Sequence, residues 1–195
     1  TDLSTHLDNI NFSEEHQQFL AEIEHPIFKE QCRDYFANTQ FRKDLYIRGK
    51  NTLTALEIQH RLRNTAFVLL TAPEKLPKTI SGYLGEFDLI QEIYQPLGAY
   101  FKQSDYKPQT IAELEQAIPN ITYSKLLNAL VILCHLGLAQ PCQAASNPDM
   151  VEHAQKLSRY FLEQASYHTN YQVFACPLTG ICIPADQFTQ LFYRA

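Results

Sequence analysis

Apolar residues near the start of the chain recur at the spacing of amphipathic helices. Over residues 13–23 they fall on one side, and Ser13 can cap the first turn. A second helix is predicted over residues 26–36, because proline is favoured at the first helical position. Its packed side is predicted to hold five residues: Ile27, Gln31, Cys32, Tyr35 and Phe36.

The pattern then changes to short runs of strand-forming residues. A strand is predicted over residues 45–47, a short helix over 53–59 and a buried strand over 65–72, which Pro73 ends. Residues 80–85 predict a further strand. Helices with a small sheet make an α+β first lobe, residues 1–85.

Helical spacing returns over residues 88–102, although Pro96 inside it is expected to kink or break the helix. A capping box at Thr110 and Glu113 predicts a short helix that ends before Pro119. A largely buried helix follows over residues 123–136, and then a strand. This order of elements predicts a winged-helix-like second lobe, residues 86–195.

The last part of the chain predicts a helix over residues 147–164, a hairpin of 171–176 with 181–183, and a terminal helix over 185–193. The fold class is therefore α+β and mostly helical, with a small α+β first lobe and a winged-helix-like second lobe.

Overall charge argues against a polyanion-binding role. The formal net charge is −5, which gives no long-range attraction for nucleic acid or anionic lipid. The apolar runs are shorter than the roughly 20 residues of a bilayer-spanning helix. The first residues also lack the pattern of a secretory signal. We therefore expect a cytoplasmic protein with no nucleic-acid partner and no membrane insertion.

The second lobe also lacks the features of a DNA reader. On the helix over residues 123–136, the polar side chains available to contact DNA bases are Lys125, Asn128 and His135. Residues 88–195 carry six basic and nine acidic side chains. Protein contacts suit this lobe better than DNA.

Known cofactor and nucleophile motifs are missing from the sequence. The six glycines are scattered and form no dinucleotide-binding turn or P-loop, and neither GxSxG nor HExxH occurs. The seven histidines show no ligand spacing that would indicate a metal site. We therefore predict no catalytic, cofactor-binding or metal-binding residues in this chain.

Five cysteines are present, an odd number without CxxC spacing. This favours reduced, packed thiols over a disulfide framework or a structural zinc site. Cys176 and Cys182 can approach each other across the predicted hairpin. A disulfide or redox pair there stays open as the alternative to simple packing.

A basic segment lies between Lys29 and Arg63. It holds eight basic and four acidic side chains, so its local net charge is +4. The segment can face an acidic partner, with these residues as candidate partner contacts: Arg33, Arg42, Lys43 and Arg48. The alternative is a solvated face with ion pairs inside its helices.

Two runs of residues carry a family resemblance. The run EQCRDYF at residues 30–36, followed by NTQFRKDL at 38–45, resembles the predicted methyltransferase regulatory domain, whose members read EQYxDF and then NxxFR. The run FACPLTGICIP at residues 174–184 resembles the end of the winged-helix-like C-terminal domain of the same proteins, with Cys176 at a position where serine is usual. Within the first motif, Phe41 is expected to anchor the turn in the core.

The resemblance implies a non-catalytic regulatory or substrate-positioning region of a bacterial S-adenosylmethionine-dependent methyltransferase, with protein-lysine methyltransferases among the relatives. This chain would hold no cofactor, because S-adenosylmethionine would bind in the parent's catalytic domain. The implied partners are that catalytic domain and a protein substrate.

Two alternatives of other classes remain. One is a stand-alone winged-helix protein with an interaction or transcription-type function. The other is an enzyme that uses Cys176 or Cys182 with a histidine, which would require a thiol of low pKa.

Overall fold

The computed structural model describes residues 7–41, 48–49, 52–82, 85–143 and 147–194, apart from the side chain of Asn9. The fold is α+β with small sheets, as predicted. The chain forms two compact units, Thr1–Gln140 and Pro141–Ala195. Within the described residues, no helix is long and apolar enough to cross a membrane.

The first unit begins with three helices: α1 (Asp8–Asn11), α2 (Glu14–Glu22) and α3 (Pro26–Phe36). The Ser13 hydroxyl accepts a hydrogen bond from the His16 N–H at 3.3 Å, which confirms the predicted cap of α2. Pro26 opens α3, also as predicted. With four residues, α1 is too short to show helical periodicity, so no helix is predicted there from the sequence.

A capping box shifts the next helix from its predicted position. Helix α4 (Ala55–Arg63) begins after Thr54, whose hydroxyl accepts from the Glu57 N–H while the Glu57 carboxylate accepts from the Thr54 N–H. The prediction of residues 53–59 was therefore right in kind but misplaced at both ends. The predicted strand at 45–47 lies outside the described residues.

The buried strand before Pro73 is confirmed as β1 (Ala66–Leu69), and a 3₁₀ turn (Pro73–Lys75) follows it. Next come β2 (Thr79–Gly82) and β3 (Gly85–Asp88), which pair as an antiparallel hairpin. The backbone of α1 lies close to this hairpin, because a Cβ at Gly82 would stand 2.4 Å from the Ile10 carbonyl oxygen. Glycine permits that close approach.

Pro96 does not break its helix, so of the two outcomes predicted for it, a kink or a break, the break is wrong. Helix α5 (Gln91–Gln103) is continuous and starts three residues later than expected. Proline inside a helix costs about 3 kcal/mol, chiefly through one lost hydrogen bond and a steric clash. We attribute the tolerance to burial of the helix side that holds Ile93, Tyr94, Leu97 and Phe101.

The remaining elements of the first unit complete a three-stranded sheet. They are β4 (Gln109–Thr110), α6 (Ile111–Ala117), α7 (Tyr123–His135) and β5 (Ala139–Pro141), and the sheet order is β4-β1-β5. The predicted capping box is confirmed, since the Glu113 carboxylate accepts from the Thr110 N–H at 2.7 Å. The order of α5, α6, α7 and β5 follows the prediction, while the winged-helix assignment itself stays a prediction.

The two compact units divide between Gln140 and Pro141, whereas the sequence predicts a lobe boundary near Gly85. One continuous core runs from Ile10 to Ala139 and includes residues on both sides of Gly85. In addition, β1 pairs with β4 across that position, with Ala66 opposite Thr110. Pairing at long sequence separation, which local patterns do not show, therefore moves the division to residues 140–141.

The second unit holds a helix, a hairpin and a final helix: α8 (Pro148–Gln164), β6 (Val173–Cys176), β7 (Ile181–Pro184) and α9 (Gln187–Arg194). The predicted hairpin and both helices are confirmed, with small shifts at their ends. The Ser158 hydroxyl of α8 accepts from the Ala175 N–H at 3.0 Å. The buried Gln190 amide of α9 donates to the carbonyls of Tyr171 (2.6 Å) and Val173 (3.0 Å).

Candidate interaction surface

The packed side of α3 is organised around Arg33. Its guanidinium lies 2.5 Å from the Asp8 carboxylate of α1 and 3.7 Å from Glu30, and its side chain is 11% exposed. The guanidinium carbon also stands 5.4 Å from the centre of the Phe12 ring. These contacts hold α3 against α1, so this arginine is engaged inside the protein.

An aromatic cluster joins α3 to α2 on the same side. The Phe36 ring stacks on His16 at 4.1 Å between ring centres and meets Phe12 and Phe19 edge-on. Phe12, Leu20 and Ala37 form the buried centre of this region, with Ile23, Cys32 and Phe36 packed against it.

The opposite side of α3 is apolar and exposed to solvent. Ile27 is 67% exposed, Phe28 52% and Tyr35 86%. At about 100° per residue, these three share one side with the exposed Gln31 and lie away from Phe36. We call Ile27, Phe28 and Tyr35 the exposed face of α3.

The packed side predicted for α3 combines residues from both of these sides. Cys32 and Phe36 are packed as predicted, whereas Ile27, Gln31 and Tyr35 are not. The prediction failed because both sides of the helix carry apolar residues, and charged Arg33 lies on the packed side.

Phe41 is also exposed, at 91%, which contradicts its predicted role as a core anchor. Phe19 is also exposed, at 47%, although its ring meets Phe36 on the packed side of α3. Only contiguous exposed apolar residues mark an interaction site, because scattered single ones are normal.

The four predicted partner-contacting residues have different surroundings. Arg33 is held inside by Asp8, and Arg48 is exposed. Arg42 and Lys43 lie outside the described residues. Whether any of the four contacts a partner stays a prediction.

Arg63, at the end of the basic segment, is also paired within the protein. Its guanidinium donates to both carboxylate oxygens of Glu115, at 2.7 and 3.0 Å, and stands 4.7 Å from the centre of the Tyr123 ring. The hydrogen bond to Glu115 raises the pKa of this arginine further above its usual range. Arg33 and Arg63 thus pair closely with carboxylates of other helices, Asp8 and Glu115. The alternative of ion pairs inside helices fits the longer Arg33–Glu30 contact.

The hairpin register separates the two cysteines proposed as a redox pair. Cys176 lies opposite Ile181, and Cys182 lies opposite Ala175. Opposed residues share a face of the hairpin and neighbours alternate, so the two side chains are on opposite faces. Both thiols are free, and the disulfide alternative does not fit this register.

A third thiol, Cys142, is near Cys176 in the same unit. Burial, with a smaller contribution from the charge of Cys176, raises the pKa of Cys142 to about 11. A reactive cysteine needs a lowered pKa, so the shift at Cys142 is in the opposite direction.

In the described ranges, no group of three or more His, Cys, Asp and Glu residues could hold a metal ion.

Comparison with known families places the exposed face of α3 in a defined segment. Residues 1–48 match the family model of the predicted methyltransferase regulatory domain. This segment contains α1, α2 and α3. The match agrees with the resemblance found from the motifs at residues 30–45.

A second comparison finds a relative that is similar to this chain over almost its whole length. An uncharacterized protein of Synechocystis sp. (strain ATCC 27184 / PCC 6803 / Kazusa) is 30% identical over 199 residues. The alignment covers 99% of this chain and 38% of the relative, so the chain spans about two fifths of the relative's length. No solved structure gives a significant match.

Proposed function

We propose that this chain is a non-catalytic regulatory or substrate-positioning region of a bacterial S-adenosylmethionine-dependent methyltransferase. The observation that carries the proposal is the match of residues 1–48 to the regulatory domain. The longer relative supports it, because a region of this kind needs a catalytic part beside it. The cofactor would bind in that catalytic part.

The exposed face of α3 is the surface that we assign to contact with the catalytic part. It lies within the matched segment, and its side chains are large and apolar. Interfaces are enriched in aromatic residues and in arginine. Arg42, Lys43 and Arg48 follow α3 in the sequence and are proposed as charged contacts. Arg33 would act indirectly, by fixing the orientation of α3.

The methyl acceptor is proposed to be a protein, as in the protein-lysine methyltransferases that the resemblance includes. We assign its contacts to residues 86–195. The excess of acidic over basic residues in residues 88–195 suits a lysine-bearing substrate better than a nucleic acid.

Calorimetric titration tests the proposal. S-adenosylmethionine and S-adenosylhomocysteine are titrated into this chain and into the full-length product of its gene. The chain alone should give no binding heat, and the full-length product should bind both. Tight binding by this chain alone, or none by the full-length product, would contradict the proposal.

A stand-alone winged-helix interaction or transcription-type protein is the second candidate. The order of α5, β4, α6, α7 and β5 favours it. The same titration discriminates between the two, because a stand-alone protein would give a full-length product that binds no S-adenosylmethionine.

A further inference from the structure

A cavity of about 230 Å³ opens in the first unit beside α7. An apolar cavity of about 150 Å³ already binds benzene, so this one is large enough for a small organic molecule. Apolar side chains from α1, the β2–β3 hairpin, α5 and α7 line it: Ile10, Ile80, Phe87, Ile93, Ala129 and Ile132.

Two polar groups of α7 line the same cavity. Lys125 and Asn128 are three residues apart, so they lie on one side of the helix, and both residues are exposed. Among the described residues, Lys125 forms no ion pair and Asn128 no side-chain hydrogen bond. A free ammonium beside a free amide can bind a carboxylate by charge-assisted hydrogen bonds.

A negative charge stands at another part of the lining. Asp88, the last residue of β3, is exposed and lines the cavity. Within the described part of the chain its carboxylate has no cationic partner either. The cavity therefore combines apolar walls with one unpaired cation and one unpaired anion.

Tyr94 completes the polar lining without adding a charge. Burial raises the pKa of its hydroxyl to about 12, so the side chain is neutral at physiological pH. The charges available to a ligand thus come from Lys125 and Asp88. A ligand that carries one charge of each sign and an apolar group satisfies all three features of the lining.

We propose that this cavity binds a free α-amino acid with a large apolar side chain. Its carboxylate would pair with Lys125 and Asn128, its ammonium group with Asp88, and its side chain would occupy the apolar part. This inference goes beyond the proposed function and does not depend on it.

The position of Ile10 links this site to the segment matched by the regulatory domain. Ile10 belongs to α1, and its carbonyl lies close against Gly82 of the hairpin. A bound side chain would add contacts to Ile10 and so stabilise α1 against the hairpin. Hydrogen exchange over residues 7–12 should therefore slow when the ligand binds.

The test uses leucine, methionine and phenylalanine as probes, titrated into the chain by calorimetry and by NMR. Two analogues of leucine separate the charges: 4-methylpentanoate lacks the ammonium group and 3-methylbutylamine lacks the carboxylate. We expect saturable binding of at least one amino acid. Each leucine analogue should bind about tenfold more weakly than leucine, because each loses one charge-assisted contact.

Variants locate the binding site. Lys125→Met keeps most of the side-chain length without the charge, and Asp88→Asn is isosteric. Each should weaken amino-acid binding about tenfold. Lys107→Met and Asp105→Asn are matched controls at exposed positions outside the cavity lining and should bind as the unaltered chain does. Circular dichroism verifies that all four variants fold.

Three results would overturn the proposal. The first is the absence of saturable binding by all three amino acids. The second is binding of 4-methylpentanoate as tight as that of leucine, and the third is unchanged binding in both cavity variants. S-adenosylmethionine also carries an α-amino acid group, so its titration into this chain is repeated with Lys125→Met. Binding that this variant retains counts against the proposed function, whereas the three results above count against the amino-acid site alone.

Discussion

Arg33 of α3 reaches the Asp8 carboxylate of α1 at 2.5 Å, and the two residues are 25 positions apart in the sequence. The arginine side chain is 11% exposed and the aspartate side chain 38%. The same guanidinium lies over the Phe12 ring. An ion pair in this half-buried setting contributes more to stability than a surface pair does, because removing one partner leaves the other charge poorly solvated.

We therefore expect Arg33→Met to lower the free energy of unfolding by about 2 kcal/mol. Asp8→Asn should have a similar effect, and the double variant should cost less than the sum of the two single changes. Urea denaturation followed by circular dichroism measures these values. Arg61→Met, at an exposed position on α4, is the control and should change stability little. Additive effects would contradict the pairing.

Because the two sides of α3 have different surroundings, substitution of the neighbours Tyr35 and Phe36 should have different effects on stability. Tyr35→Ser changes the exposed face and should alter stability by less than about 0.5 kcal/mol. Phe36→Ser removes the ring that meets Phe12, His16 and Phe19, and should cost about 2 kcal/mol or more. Thermal unfolding of both variants measures the difference.

The same Tyr35→Ser change tests the proposed docking of α3. In the full-length product, it should lower methyl transfer while leaving S-adenosylmethionine affinity unchanged, because the cofactor would bind elsewhere. Tyr167→Ser is a matched control at another exposed tyrosine, 79% exposed, outside the matched segment. Equal activity of the Tyr35 variant and the control would count against this surface as the contact.

Gly82 is expected to tolerate no side chain. A Cβ there would lie 2.4 Å from the Ile10 carbonyl oxygen, a backbone atom that cannot move without α1. Gly82→Ala should therefore cost about 1–3 kcal/mol and speed hydrogen exchange in α1. Ser81→Ala, one residue earlier and exposed, is the control. Unchanged exchange in α1 would show that the helix does not depend on this contact.

Local signals predicted most of the helices and strands. The Ser13 cap, the Thr110 capping box and the turn before Ile181 are short-range patterns, and each marked an element that the structure contains. The capping box of Thr54 and Glu57 is a further local signal, and the helix predicted over residues 53–59 did not take it into account.

Long-range contacts could not be predicted in the same way. The pairing of β1 with β4 and the core that spans Gly85 depend on residues distant in the sequence, and they moved the unit division to residue 140. The candidate surface was missed for a related reason. Apolar spacing identified the helix α3, but only the position of α1 and α2 decides which of its sides is covered.

The capping box of α4 gives stability a pH dependence with a definite sign. Hydrogen bonds from the Thr54 N–H and hydroxyl lower the pKa of the Glu57 carboxyl below its ordinary value of 4.5. A carboxyl whose pKa is lower in the folded than in the unfolded state stabilises the fold above the unfolded pKa. That contribution is lost as the pH falls through the folded pKa.

Thr54→Val removes the hydroxyl and should raise the pKa of Glu57 towards 4.5, which an NMR titration of its side-chain carboxyl measures. Glu57→Gln should lower stability at neutral pH and should also remove this group's part of the acid-induced loss. Its melting temperature should therefore approach that of the unaltered chain as the pH falls. Glu163→Gln, at an exposed position on α8, is the control and should leave the difference between neutral and acidic pH unchanged. A Glu57 pKa that does not respond to Thr54→Val would mean that the Thr54 hydroxyl does not hold the carboxylate in solution, and that the Thr54 N–H carries the shift.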